Sequence, residues 1–375
     1  RKVLYVTRTR ADYGLMASTL ARIAAHPTLS LQVAVTGMHL SEAYGLTVGE
    51  IEAAGLPIVA RIPTGDDERS ADAMAHAIGY TVIGLTDTMR RHAPDIVLLL
   101  GARGEMLAGA IAALHIGTPI AHLHGGERSG TVDEPVRHAI SKLSHWHFVA
   151  TEESRERLIH MGERPERVWV TGAPSLDGIE SEADLSREAT LRTLCLNTQD
   201  RYALVLFHPV VQEANDACSQ TLALRQALER VVIASGRQVV WLDPNADAGG
   251  GGILQALTGA SVHRIRHLPR THYLAALRHA DVLAGNSSSG IIEAASFGTP
   301  VVNVGSRQNA RQRNANTRDC EPKQAAIESA LRVQLSHGPY SRTNVYGEGG
   351  AGKRIVNLLA THPFASDILN KVNTY

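Results

Sequence analysis

The chain of 375 residues has only three cysteines, Cys195, Cys218 and Cys320, and no two of them form a Cys-x-x-Cys pair. That scatter argues against a disulfide framework or a thiolate metal site and fits three ordinary thiols in a reducing compartment. An excess of one charge is also missing, since 37 lysines and arginines balance 37 aspartates and glutamates. No overall field draws the chain to nucleic acid or to an anionic membrane, so any anion must be held locally. No apolar run approaches the roughly 20 residues of a membrane-spanning helix. The opening Val3-Leu4-Tyr5-Val6-Thr7 behind Arg1-Lys2 is too short for a signal peptide. A soluble, cytoplasmic protein is expected, and no tandem repeat of fixed period is found. The first strand is followed by Thr7-Arg8-Thr9-Arg10-Ala11-Asp12-Tyr13-Gly14. This lacks the Gly-x-Gly-x-x-Gly spacing of a dinucleotide loop, which disfavours a nicotinamide or flavin cofactor.

What is present is a regular alternation of short β-branched runs with longer helical patterns, which predicts parallel strands joined by crossover helices and an α/β class. Strands are expected near Val3–Thr7, Leu31–Thr36, Ile58–Arg61, Ile96–Leu100, Pro119–His122, Trp146–Val149 and Val168–Thr171. A second set is expected near Tyr202–Phe207, Gln238–Leu242, Val262–Ile265, Val282–Ala284 and Val301–Val304. The length exceeds what one core usually serves. Two doubly wound domains are expected, residues 1–174 and 175–358, with a ligand cleft between them. Closing helices over Gly352–Ala360 and Phe364–Lys371 are expected to bring residues 359–375 back onto the first domain.

Polar residues gather at strand ends, where open α/β sheets bind ligands. The strand Ile96–Leu100 empties into Gly101-Ala102-Arg103-Gly104-Glu105. The next apolar segment ends in His122-Leu123-His124-Gly125-Gly126-Glu127, followed by Ser129-Gly130-Thr131-Val132-Asp133-Glu134. Arg8 and Arg10 at a helix mouth can hold a phosphate through bidentate bonds, or form an exposed loop capped by Asp12. The strongest phosphate signal is Gly285-Asn286-Ser287-Ser288-Ser289-Gly290, whose small residues leave backbone N–H groups free to cradle an anion. Glu293, one turn further on, can accept bonds from vicinal hydroxyls or be a plain first-turn glutamate. His208 follows another strand and can assist a phosphate. Trp241-Leu242-Asp243-Pro244-Asn245-Ala246-Asp247 into Gly249–Gly252 reads as a flexible loop, and Arg307, Arg311 and Arg313 form a basic loop. Among 18 histidines, His122 and His124 alternate on one strand, but no second anchored ligand group stands at metal spacing, so no metal is expected.

In this order, Thr9-Arg10-Ala11-Asp12-Tyr13, Gly101-x-Arg103-Gly104-Glu105-Met106-Leu107-Ala108, His124-Gly125-Gly126-Glu127, Ser129-Gly130-Thr131-Val132-Asp133, Arg137-His138-Ala139-Ile140, His208-Pro209-Val210, Gly285-Asn286-Ser287-Ser288 and Phe297-Gly298-Thr299-Pro300 resemble one family, the hydrolysing UDP-N-acetylglucosamine 2-epimerases. The resemblance runs from Val3 to about Ile355. It implies the glycosyltransferase-B fold of two Rossmann-like domains, no cofactor, and a homodimer or homotetramer. The implied reaction turns UDP-N-acetylglucosamine and water into UDP and N-acetylmannosamine, on the way to sialic-acid-type sugars. Close relatives act on a UDP- or GDP-linked diacetamido-trideoxy sugar, or on GDP-N-acetylglucosamine, in legionaminic acid synthesis. Non-hydrolysing epimerases, glycosyltransferases of the same fold and a non-catalytic nucleotide-sugar sensor are the rival readings.

Carried over residue by residue, Asp133 matches a catalytic acid, and Arg10, His208, Ser287 and Ser288 match groups around the UDP phosphates. Glu293 matches the ribose contact and Arg307 an arginine near the nucleotide. The expected substrate-binding set also takes in Arg103, Glu105, Glu127, Arg137 and Asn245. Two positions depart from the family. Ala102 stands where a catalytic aspartate is usual, and His124 stands where some members have glutamate and others histidine. Alanine cannot move a proton, and loss of a positioned acid or base costs about 10²- to 10⁴-fold, so a strongly impaired chain is expected. Histidine can shuttle protons near neutral pH.

Overall fold

The computed structural model describes residues 1–65, 70–245 and 247–374; Ala246, in the loop expected after Trp241, lies outside the described residues. The chain forms two compact units. The first comprises Arg1–Glu127, Asp133–Asp177 and Tyr346–Tyr375, and the second Arg128–Val132 and Gly178–Val345.

In the first unit, β1 (Lys2–Thr7), β2 (Ser30–Thr36), β3 (Ile58–Ile62), β4 (Ile96–Leu100), β5 (Ile120–Leu123), β6 (Trp146–Val149) and β7 (Val168–Val170) form one sheet in the order β3-β2-β1-β4-β5-β6-β7. Every pairing is parallel. All five residues of β4 are buried, which is why this strand reads as an unbroken apolar run rather than an alternation. The strand order reverses between β1 and β4, and the polar segments after β1, β4 and β5 all leave from that edge.

In the second unit, β8 (Tyr202–Leu206), β9 (Gln238–Leu242), β10 (His263–Ile265), β11 (Val282–Gly285), β12 (Val301–Val304) and β13 (Thr317–Cys320) form a parallel sheet in the order β10-β9-β8-β11-β12-β13. Here the order reverses between β8 and β11, so the segments at His208 and Asn286 leave side by side. Each sheet is covered by its crossover helices around its own apolar core.

Three elements differ from expectation. The strand β13, Thr-Arg-Asp-Cys, carries no apolar periodicity and pairs only with β12 at the sheet edge. Gly250–Gly252 open a helix, Gly250–Ala256, rather than a flexible loop. A Cβ at Gly252 would lie 3.3 Å from the Cys218 amide, so glycine serves close packing there. The expected helix over Phe364–Lys371 is absent, and the segment turns through Ala365–Asn370. So short a helix is marginal alone, and side-chain anchors hold this segment in turns. Phe364 packs on Trp146 at 5.0 Å, and Asp367 accepts bonds from Arg164 and Arg167.

The chain passes between units at Glu127/Arg128 and Val132/Asp133, and then at Asp177/Gly178 and Val345/Tyr346, where boundaries at 174 and 358 were expected. The reason is local. Asp177 accepts bonds from the amides of Ala351 and Gly352, each at 2.7 Å, and the Ala173 amide donates to the Tyr346 carbonyl at 2.9 Å. Among the described residues no helix is long and apolar enough to cross a membrane.

Candidate active site

After β1 the chain makes a tight turn held by one carboxylate. Asp12 accepts from the Thr7 hydroxyl at 2.6 Å and from the amides of Arg8 and Thr9. Thr9, not Asp12, is the N-cap of the helix Arg10–Ala24, and the two form a capping box. The pair fixes where Arg8 and Arg10 go. Arg8 turns inward to a buried ion pair with Glu105 at 2.6 Å, so its charge is already matched by a carboxylate. Arg10 stays half-buried. Its nearest carboxylate is Glu50 at 3.6 Å, and its Nη1 has no hydrogen-bond partner among the described residues. Burial lowers its pKa to about 10 despite Glu50, so at neutral pH it is a charged and underused donor.

Beside this turn, β4 and β5 end in register, with Leu100 opposite Leu123. Gly101 takes φ +80° and Ala102 is buried at 8% exposure directly before the helix Gly104–Ile116, whose N-cap is Arg103. The Gly101 carbonyl accepts from His122 Nε2 at 2.7 Å, and Ser141 Oγ meets His122 Nδ1 at 3.0 Å. Burial lowers the His122 pKa to about 3, so this imidazole is a neutral strut with both nitrogens engaged. Among the described residues no group of three or more histidine, cysteine or carboxylate side chains could hold a metal.

His124 is, with Leu46, Ala93 and Cys195, one of the non-glycine residues with a left-handed backbone. It adopts φ +59°, a left-handed conformation uncommon for a residue with a side chain. Behind it, a Cβ at Gly125 would lie 2.8 Å from Ser141 Oγ, and one at Gly126 would lie 2.3 Å from the Ser154 carbonyl. This packing holds the turn, and the ring of His124 bonds through Nδ1 to Glu127. Glu127 is 4% exposed, and its carbonyl is held by Arg137 Nη1 at 3.1 Å. Asp133 opens the helix Asp133–Leu143 half-buried, with no hydrogen bond or ion pair among the described residues.

The corresponding edge of the second unit is built around Asn286. Its side chain accepts from the His208 amide at 2.7 Å and donates to the His208 carbonyl at 2.8 Å, joining the ends of β8 and β11. Gly285 before it has φ +136°, and a Cβ there would lie 2.0 Å from the Leu206 carbonyl. No other residue fits. The Asn245 amide donates to His208 Nδ1 at 3.2 Å, which leaves the ring proton on Nε2. Asn245 is held in turn by Asp247 at 2.7 Å. Ser287 caps the short helix Ser288–Ile292, and both serines are half-buried. Arg307 Nη1 and Gln308 Nε2 reach the Asn286 carbonyl at 3.2 Å each.

Glu293 is 2% exposed and already bonded on both oxygens, to Arg270 at 2.8 Å and to Ser289 at 2.5 Å. Burial opposes the Arg270 charge, but Glu293 and Glu182 outweigh it and raise the pKa. Each carboxylate oxygen keeps a second lone pair for a ligand hydroxyl. Arg313 is committed to Asp319 at 2.8 Å.

The structure thus brings Ala102, Arg103 and His124 to one sheet edge, and His208, Asn245, Ser287, Ser288 and Arg307 to the other. Glu105, Glu127 and Arg137, also expected among the substrate contacts, are buried, Glu105 against Arg8, Glu127 against His124, and Arg137 on the Glu127 carbonyl. Sequence reasoning missed Arg270, Gln308 and the bridging role of Asn286. For Asn286 a signal existed, an amide side chain directly after a strand-ending glycine. Arg270 and Gln308 carry no local signal, because their partners are 23 and 22 residues away.

Comparison with known proteins identifies the family and the fold. The family described as UDP-N-acetylglucosamine 2-epimerase matches residues 21–360. The hydrolysing UDP-N,N'-diacetylbacillosamine 2-epimerase of Legionella pneumophila is 46% identical over the whole of both chains. A UDP-N-acetylglucosamine 2-epimerase of Neisseria meningitidis serogroup B is 33% identical, covering 93% of this chain and 91% of the relative. Among solved structures, UDP-GlcNAc 2-epimerase from Neisseria meningitidis bound to UDP-GlcNAc shares the fold at a TM-score of 0.81 and 20% identity, covering 96% of this chain and 99% of that one. Two Rossmann-like units, the family match over residues 21–360 and a relative 46% identical over the whole of both chains place the chain in the UDP-N-acetylglucosamine 2-epimerase family, a family of enzymes.

Proposed function

We propose that the chain is a hydrolysing nucleotide-sugar 2-epimerase acting on a UDP-linked diacetamido-trideoxyglucose, releasing UDP and the free 2-epimeric sugar. The observation that carries this reading is the 46% identity over full length to a hydrolysing diacetylbacillosamine epimerase. UDP-N-acetylglucosamine is the second reading, favoured by the relative at 33% identity. We assign the reaction to the cytoplasm, on the way to sialic- or legionaminic-type sugars, and the assembly to a homodimer or homotetramer.

The chemistry distributes over the two edges. Departure of UDP needs cations and donors for its phosphates. His208 with its proton on Nε2, Ser287, Ser288 and the underused Arg10 suit that task, with Arg307 nearby. Glu293 offers its remaining lone pairs to the ribose hydroxyls, and Asn245 orients His208. At the first edge Arg103 is a substrate contact, and His124 and Asp133 handle protons as the sugar passes through a glycal. Water then adds at C1, and a proton returns to C2 on the opposite face. Ala102 supplies nothing to these steps, so turnover is slow.

The test is a panel of sugar nucleotides offered to this chain and to Ala102→Asp, following free UDP or GDP. Release from a UDP diacetamido sugar, faster in Ala102→Asp, supports the reading. Release from none of the panel by either protein contradicts it.

A further inference from the structure

The bond between His124 and Glu127 does more than pack the turn. A carboxylate accepts and does not donate, so the proton in this bond belongs to His124 Nδ1. The other nitrogen, Nε2, makes no hydrogen bond among the described residues. Glu127 is itself fixed, buried at 4% exposure with Arg137 bracing its carbonyl, while Gly125 and Gly126 leave the turn no room to relax. A left-handed backbone at a non-glycine residue is tolerated only where its surroundings over-determine it, and such positions gather at functional sites. Three other buried or half-buried histidines run the opposite way. His122 donates from Nε2 to Gly101, and His145 and His208 accept at Nδ1 from the amides of Ile120 and Asn245. His124 alone among these four carries its proton on Nδ1.

We infer that Glu127 is a positioning residue rather than a substrate contact. It fixes the ring and tautomer of His124, so that Nε2 presents a lone pair to the C2–H of the bound sugar. In the step this permits, Nε2 takes the C2 proton. The electron pair of that C–H bond becomes the C1–C2 double bond, and the C1–O bond breaks with its electrons leaving on UDP. The imidazolium so formed lies against the Glu127 carboxylate, which stabilises it as the buried acid does in a Ser-His-Asp triad. The role at C2 rests on the epimerase reading above. The tautomer does not.

Two-bond ¹H–¹⁵N spectra of the ligand-free chain at alkaline pH test it, with His124 identified by the signals lost in His124→Gln. The expected result is a protonated Nδ1 for His124 and a protonated Nε2 for His122, His145 and His208. A protonated Nε2 on His124 in the intact chain overturns the inference. In Glu127→Gln the Nδ1–H preference should weaken, and kcat, read in the Ala102→Asp background, should fall by about 10²- to 10⁴-fold with KM unchanged. An unchanged tautomer and an unchanged kcat in a folded Glu127→Gln protein overturn it as well. If that variant does not fold, the intact-chain spectrum still decides. Should Ala102→Asp release no nucleotide while the Nδ1–H tautomer stands, the assignment of Nε2 to the C2 proton falls with the epimerase reading.

Discussion

Replacing Glu163 by glutamine removes the charge on which the C-terminal segment is anchored to the first unit. Glu163 is 3% exposed and receives Lys142 at 2.8 Å, Lys371 at 2.6 Å and His147 Nε2 at 3.0 Å. Burial alone would raise its pKa, but His147 and the two lysines outweigh it and hold it at about 2, against an ordinary 4.5. Burial lowers the pKa of His147, which therefore serves as a neutral N–H donor, and the lysines supply the charge. Lys371 also reaches the carbonyls of Ser141 and Ser144, at the end of the helix that Asp133 begins. At about 1.4 kcal/mol per pH unit, the lowered pKa is worth of order 3 kcal/mol. Breaking one partner of a buried pair costs about 3–5 kcal/mol, which agrees. The sign follows from linkage. With the folded pKa below the unfolded one, the contribution is fully present above pH 4.5 and is lost as pH falls toward 2. Urea unfolding followed by tryptophan fluorescence reads it, because Trp146 packs against Phe364 of the same segment at 5.0 Å. Glu163→Gln should be less stable by about 3 kcal/mol at neutral pH, with the gap closing below pH 4.5. A gap that persists unchanged to pH 3, or no gap at neutral pH, would refute the reasoning.

Three further outcomes follow from the same geometry. Gly285→Ala should destabilise the second unit by about 3 kcal/mol or more, because its Cβ meets the Leu206 carbonyl; calorimetry of the variant checks this. Arg10→Met should leave unfolding unchanged and raise KM for the sugar nucleotide roughly 10- to 100-fold, the worth of a charge-assisted bond, as read by initial rates of UDP release. Ala102→Asp should raise kcat about 10²- to 10⁴-fold. The new carboxylate precedes the N-terminus of the helix Gly104–Ile116, which favours an anion by about 0.3–1 kcal/mol. Equal rates in the two proteins would sink that expectation.

Much of this was legible because strand ends are. The run Ile96–Leu100 is bounded in the structure as the apolar pattern bounds it, and so are Trp146–Val149, Gln238–Leu242 and Val301–Val304. The polar clusters behind such runs point to the edges where ligands bind. What residues do once there was less legible. The spacing does not show that Glu105 pairs with Arg8 or that Glu127 pairs with His124. Both are decided by which way a side chain turns, which spacing does not encode. The anchor at Glu163 joins residues 208 positions apart, and no local pattern announces such a pair. The edge strand Thr317–Cys320 escaped for another reason, since an edge strand with polar faces has no periodicity to read.

Elimination of the nucleotide and return of a proton to C2 together define the proposed reaction. It is tested most directly by incubating the UDP diacetamido sugar with Ala102→Asp in heavy water and examining the products by NMR and mass spectrometry. Free UDP and a free 2-epimeric sugar carrying deuterium at C2 are expected. A product still joined to UDP, or a freed sugar with its original C2 hydrogen and configuration, would contradict it.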